Sequence, residues 1–195
     1  MADAAVRIDD RLLAAGRRAL RKHGYAGATV ERIADEAGLT RVTLHRRGVS
    51  KDSLLAEFAR RATEEYRQAL WPAVMAPGTG RERLELALTA LCHTAEENLD
   101  LLVALRAQTD RIFHEDDEEP LTRSAYTEPL ERLLRDGAAD GSLRTDLNNP
   151  SEYATVLFNL VGWTYIHLRT GHRWPPDRAS TATLDIAVNG IVRVT

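Results

Sequence analysis

The sequence predicts an all-α fold, and three observations lead to it. Apolar residues recur at spacings of three and four, helix-capping signals punctuate the chain, and no convincing run of alternating, β-branched residues occurs. The 195 residues accommodate about nine helices: a small N-terminal three-helix unit with a helix-turn-helix, then a larger C-terminal helical body.

The elements follow in order. Ile8, Leu12, Ala15, Ala19 and Leu20 share one face of a first helix of about four turns, which Gly24 can stop in a left-handed conformation. Thr29 caps a second helix of about two turns. Glu31 lies in its first turn, where the helix dipole favours negative charge; Val30, Ile33, Ala34 and Ala37 form its buried stripe, and Gly38 ends it. Thr40 caps a third short helix through Arg47, and Ser50 caps a fourth from Lys51 to about Leu70, ahead of Pro72. Thr79 with Glu82, and Asn149 with Glu152, satisfy the capping-box pattern, in which side chain and backbone cap each other reciprocally. Pro150 occupies the favoured first position of the latter helix. Tyr153, Val156, Leu157, Leu160, Val161, Thr164 and Leu168 then make one apolar stripe up to Gly171. After Trp174-Pro175-Pro176, Leu184, Ala187, Val188 and Ile191 mark a last helix.

Composition narrows the class. With 44% hydrophobic and 28% charged residues, the chain is neither disordered nor collagen-like. One cysteine, Cys92, excludes an internal disulfide framework and any multi-cysteine metal site, and fits a reducing compartment. The longest apolar stretch, Ala154 to Ile166, is interrupted by Asn159 and falls short of the roughly 20 residues that span a bilayer. The start of the chain lacks a signal-type apolar run. A cytoplasmic protein with no membrane partner is expected. The acidic run Glu115, Asp116, Asp117, Glu118 and Glu119 reads as a solvated loop, since nothing spaces its carboxylates around an ion. No metal and no cofactor are expected.

Charge is divided along the chain. Of 26 basic residues only Lys22 and Lys51 are lysine, the bias a GC-rich genome imposes, so position matters more than number. Residues 1–51 hold 11 basic and 6 acidic side chains, a net of +5, and residues 52–195 hold 15 and 23, a net of −8. Basic charge gathered at one end is the footprint of a polyanion partner, because neutralised phosphates release condensed counterions. Aromatics divide as well: Tyr25 is the only one before position 51, and the other ten follow.

Short helix, glycine turn, short helix is the geometry of a helix-turn-helix, whose second helix enters the major groove. Here Ala37-Gly38-Leu39 supplies the turn, with Leu39 directed into the core. The next helix presents Arg41, Val42, Thr43, His45, Arg46 and Arg47. Arg41 and Val42 stand at the N-terminal end that reaches base edges, with hydroxyls and cations around them for phosphates.

The stretch GYAGATVERIADEAGLTRVTLHRRGVSKDSLLAEF, from Gly24 to Phe58, resembles the N-terminal signature of TetR-family transcriptional regulators, without gaps. It has the Gly-aromatic pair before a Thr-capped helix, the Ile-Ala-x-x-Ala-Gly core, Thr-Leu in the recognition helix and Ser-Lys-x-x-Leu-Leu at the fourth helix. The resemblance implies that Thr29 contacts phosphate, that Thr40 and Thr43 hold phosphate or a thymine methyl, that Arg41 and Val42 read bases, and that Lys51 anchors phosphate. A tyrosine common at the position of His45 and an aromatic common at that of Gly48 are absent. His45 can still donate to a phosphate with a pH-sensitive charge, Arg46 and Arg47 can add phosphate contacts, and loss of the aromatic should loosen the turn at Gly48.

The resemblance further implies a DNA-binding domain over 1–50, a connecting fourth helix over 51–72, and an effector-binding and dimerisation domain over 73–195. Its last two helices, about Asn149 to Thr170 and Pro176 to Val192, would pair with their copies in a homodimer through Leu157, Leu160, Val161, Leu168, Leu184, Val188 and Ile191. His93, Arg106, Phe113, Tyr126, Asn159, Trp163 and His167 are the candidates to line an effector pocket. The function so implied is a repressor that binds double-stranded DNA at a palindromic operator and is released by a small-molecule effector. An all-α enzyme or cofactor-binding protein without DNA binding is the alternative. It lacks support from any phosphate-cradling glycine loop, His-x-x-x-His pair or Ser/His/Asp grouping. Cys92 and His93 do not pair either, because adjacent helix residues diverge by about 100°.

Overall fold

Residues 8–104, 126–144 and 149–189, which the computed structural model describes, contain nine α-helices and no strand. They are α1 (Asp10–Gly27), α2 (Val30–Ala37), α3 (Arg41–Arg46), α4 (Lys51–Met75), α5 (Gly80–Glu97), α6 (Leu99–Ala104), α7 (Glu128–Ala139), α8 (Pro150–Thr170) and α9 (Pro176–Asn189). None is long and apolar enough to cross a membrane. The acidic run at 115–119 lies outside the described residues, as do Arg106, Phe113 and Ile191.

The helices pack as two compact units. The first comprises residues 8–62 with 100–104, and the second 63–99 with 126–144 and 149–189. In the first, Asp9 caps α1 by accepting the Leu12 N–H at 2.9 Å, and Gly24 breaks the regular helix at φ 66°, ψ 177° before one further turn to Gly27. Leu12, Leu13, Ala15, Ala19 and Leu20 of α1 meet Ile33, Ala34 and Ala37 of α2, with Leu44, Leu54, Phe58 and Leu101 closing the core. Gly16 makes room for α4: a Cβ there would stand 3.1 Å from the Phe58 ring. Along α4, Glu57 accepts from Arg60 and Arg61 at 2.7 to 3.0 Å, and these bonds hold its carboxyl down at about 2.

The Thr79–Glu82 capping box forms as expected. Two expectations about helix ends do not hold. Helix α4 passes through Pro72 to Met75, because a proline this close to the end removes only one intrahelical donor. The buried Ala73 and Val74 hold the last turn. The Asn149–Glu152 pair is no capping box: Asn149 makes no side-chain cap bond, and its Nδ2 donates to Glu152 Oε1 at 2.7 Å instead.

In the second unit α5 packs on α7, α8 and α9, and α8 packs on α5, α7 and α9. Leu84, Leu88, Leu130, Leu133, Leu134 and Leu143 are fully buried there. Cys92 is buried on α5, and burial pushes its thiol up to about 12. The start of α5 and the end of α7 approach backbone to backbone, since a Cβ on Gly80 would lie 2.1 Å from the Gly137 nitrogen. Around that contact Gly80 N–H donates to Asp140 at 2.6 Å, Arg81 N–H to Ser142 at 3.0 Å, and Arg83 to Asp136 at 2.6 Å. At the other end of α5, Glu96 accepts from Tyr165 at 2.9 Å and from both edges of the Arg169 fork at 2.7 Å. Arg169 also donates to the Trp174 carbonyl, so one guanidinium ties α5, α8 and the entry to α9.

Gly80→Ala puts a methyl where backbone stands, and the melting curve should show a loss of roughly 2–4 kcal/mol. Gly162→Ala meets open space in mid-helix and should gain up to ~1 kcal/mol. The Glu57 carboxyl is depressed in the folded chain, so the stability it contributes is present above its unfolded value near 4.5 and is lost as pH falls toward about 2. Urea midpoints taken across that window should slope less steeply in Glu57→Gln than in the parent.

Candidate nucleic-acid interface

The helix-turn-helix is built by its ends. Thr29 Oγ1 accepts the Arg32 N–H at 3.4 Å to cap α2. At the far end Gly38 takes φ 63°, ψ 37°; its N–H reaches Asp35 O at 3.0 Å and the Leu39 N–H reaches Ala34 O at 2.9 Å. Those two bonds make a Schellman motif, which turns the chain while satisfying the last carbonyls. Leu39 packs against the core as expected. Thr40 then caps α3, accepting the Thr43 N–H at 3.1 Å and sharing a hydrogen bond with the Thr43 hydroxyl at 2.9 Å.

Helix α3 closes in the same way. Gly48 stands at φ 69°, its N–H bonds His45 O and the Val49 N–H bonds Leu44 O, both at 3.0 Å. Val49 is buried. The expected loosening at Gly48 is therefore not seen: the position adopts the left-handed backbone that favours glycine over any aromatic, and the turn is fully bonded. A single side chain, Leu44, at 0% exposure, seats α3 in the core.

The outer face of α3 carries the residues expected there. Arg41 and Val42 project at its N-terminal end, with the Arg41 side chain 73% exposed and Val42 68% exposed. His45 and Arg46 are exposed, and Thr43 is half-buried. Two of the expected cations are engaged within the chain: Arg47 donates to Asp9 at 3.3 Å, and the Lys51 ammonium sits 3.6 Å from the Tyr25 ring centroid and donates to the Tyr25 carbonyl. Desolvation there pushes Lys51 below the usual lysine range. Arg41 too has a partner, Glu31 of α2, at 2.8 Å. Sequence spacing gave no sign of these partners, which lie 10 to 38 positions away.

Among the described residues, each effector-pocket candidate has its own local neighbours. His93 is exposed on α5 and 3.6 Å from Glu97, His167 is exposed against the His172 ring, and Asn159 and Trp163 hydrogen bond each other at 3.2 Å. Tyr126 is the buried one. It stacks on Tyr66 at 5.0 Å and tilts against Phe158 at 5.1 Å, and it shares a 2.7 Å hydrogen bond with Thr63. Tyr66 and Phe158 went unremarked in the sequence because a lone aromatic on a helix looks like core. No group of three or more metal-ligating side chains gathers among the described residues.

The stripe on α8 resolves into two faces. Leu157 and Val161, with Ala154 and Tyr165, are buried within the chain, as is Val188 on α9. Leu168 and Leu184 are half-buried. Val156, Leu160 and Trp163 face outward on α8, and Ile186, 70% exposed, does so on α9.

Residues 12–58 match the family described as bacterial regulatory proteins, tetR family. No curated protein sequence matches the chain. Solved structures share its fold. A TetR/AcrR-family transcriptional regulator from Thermobifida fusca is 23% identical, with a TM-score of 0.68, covering 94% of this chain and 97% of that one. The TetR-family regulator PfmR from Thermus thermophilus is also 23% identical, with a TM-score of 0.73 and coverage of 94% and 100%. The transcriptional regulator FadR from Bacillus subtilis, solved with stearoyl-CoA, is 16% identical, with a TM-score of 0.74 and coverage of 93% and 98%. Residues 12–58 thus match the N-terminal domain of tetR-family bacterial regulatory proteins, and the described residues share the all-α fold of the solved regulators.

Proposed function

We propose that the protein is a cytoplasmic, homodimeric repressor that binds a palindromic DNA operator and releases it when a small molecule occupies the C-terminal body. The observation that carries this reading is α3, whose N-terminal end offers Arg41 and Val42 beyond a turn held rigidly at Gly38. Arginine there can donate two parallel bonds to guanine, and valine can pack on a thymine methyl. Thr29, Thr40, Thr43, His45, Arg46, Arg47 and Lys51 surround them as phosphate contacts, with Arg47 and Lys51 exchanging part of their internal bonding for phosphate. Residues 1–50 act as the DNA-binding domain, 51–72 as the connection, and 73–195 as the effector and dimer domain.

Dimerisation draws on the outward α8 and α9 face. Val156, Leu160 and Trp163 stand at i, i+4 and i+7 on α8, and Ile186 is exposed on α9, which packs on α8. A second copy placed there by two-fold symmetry would bury them. For the effector, the Tyr66, Tyr126 and Phe158 rings supply an apolar wall, and the Tyr66 hydroxyl is buried with no hydrogen-bond partner among the described residues. An unsatisfied buried hydroxyl costs ~1–3 kcal/mol, which an acceptor on a largely apolar ligand would offset. Stearoyl-CoA bound to the Bacillus subtilis regulator makes a long acyl chain a sensible first probe. Such a ligand lowers DNA affinity if it favours a state whose two recognition helices no longer match successive major grooves, about 34 Å apart.

Mobility-shift titrations against the DNA flanking the protein's own gene test the reading. Arg41→Ala should lose about 1–3 kcal/mol and sequence preference, whereas Arg46→Ala should weaken all duplexes alike and reduce the salt slope by about 1. Equal binding by both variants and the parent rejects the interface. Leu160→Asp should sediment as a monomer and lose the paired half-site affinity; a dimer that persists unchanged rejects the α8 face.

A further inference from the structure

Arg41 begins a helix of only six residues, and its guanidinium is mostly in solvent. A long, exposed arginine ordinarily samples many rotamers, and fixing one costs side-chain entropy. Among the described residues, one acid reaches it. Glu31 Oε1 forms an ion pair with Arg41 Nη1 at 2.8 Å, across the turn from the first turn of α2.

Glu31 is itself held. Its carboxyl lies below the usual glutamate range, lowered by its own backbone N–H at the start of α2, by Thr29 and by Arg41. Thr29 in turn is fixed by capping α2 through the Arg32 N–H. The Glu31–Arg41 pair therefore links the first turn of one helix to the start of the other. Stability gives little reason for it, since an exposed ion pair contributes little. A carboxylate on a surface meant for phosphate also repels the partner.

Both oddities have one explanation if the pair serves discrimination. We propose that Glu31 is a specificity-determining positioning residue: it aims the Arg41 guanidinium at guanine N7 and O6, and its charge opposes retention on phosphate alone. A guanidinium has five N–H donors, so an ion pair with Glu31 through Nη1 leaves others for a base edge. Pre-aiming lowers the ordering cost of the correct contact, and the nearby carboxylate weakens every wrong one, which is specificity by repulsion. The assignment rests on the DNA-binding reading above.

The test is selection from a duplex library with 20 random base pairs, run in parallel with the parent, Glu31→Gln, Arg41→Ala and the double variant. A second titration uses one fixed duplex of unrelated sequence at low salt. The parent should enrich guanine at one position of each half-site, and Arg41→Ala should lose that enrichment. Glu31→Gln should reduce the guanine preference by about three- to tenfold while tightening binding to the unrelated duplex by about two- to fivefold. In the Arg41→Ala background Glu31→Gln should change base preference no further. A merely structural glutamate would lower affinity for both DNAs together, which overturns the proposal. An unchanged guanine preference in Glu31→Gln overturns it as well, and so does a loss that adds to that of Arg41→Ala. A parent that retains no duplex from the library overturns the DNA-binding reading and this one with it, a result distinct from all the others.

Discussion

A helix of six residues does not hold itself together in water, because nucleation costs more than so few hydrogen bonds return. Helix α3 is such a helix, and it persists because both its borders are fixed from outside. On one side the Schellman turn at Gly38 delivers the chain to the Thr40 cap; on the other the same motif at Gly48 ends it. Between them Leu44 is the single side chain fully in the core. Two left-handed glycines and one leucine thus set the pose of every residue on the outer face, and the three-helix core exists to receive that leucine.

Electrostatics at this end are decided by pairing rather than by total charge. Arg17 and Arg21 share Asp100, Arg18 and Lys22 share Glu36, and Arg47 meets Asp9. These pairs brace the first unit. On α3, His45 and Arg46 have no acidic partner among the described residues, and Arg41 is balanced by an acid at its own edge. The net of +5 along the first 51 residues is therefore an average over two populations: bracing cations, and the few that face outward on one short helix.

Much of the fold was legible because its signals are local. A threonine before an apolar periodicity, a glycine after it, and glutamate three residues past Thr79 act within one turn, so α1 to α3 and the start of α5 are readable from spacing. What failed depends on neighbours distant in sequence. Pro72 stays helical because Ala73 and Val74 are buried, and Asn149 meets the Glu152 side chain rather than the backbone. Gly48 looked like a lost aromatic, yet a positive φ asks for glycine. The stripe on α8 merged two faces because Leu157 with Val161 and Val156 with Leu160 both repeat at i, i+4. Only packing against α5, α7 and α9 separates inside from outside. At the interface, residue types were readable and partners were not: nothing in the spacing links Arg41 to Glu31, or Lys51 to Tyr25.

The buried sulfur of Cys92 has a practical corollary. A thiol pushed to about 12 inside the α5 core presents almost no thiolate at neutral pH, and thiolate is the species that alkylates and exchanges. The native chain is therefore chemically silent toward maleimides and spin-label reagents. A single cysteine introduced on the outer face of α3 would then carry the one exposed thiol of the chain, a site for an optical or magnetic label on that helix.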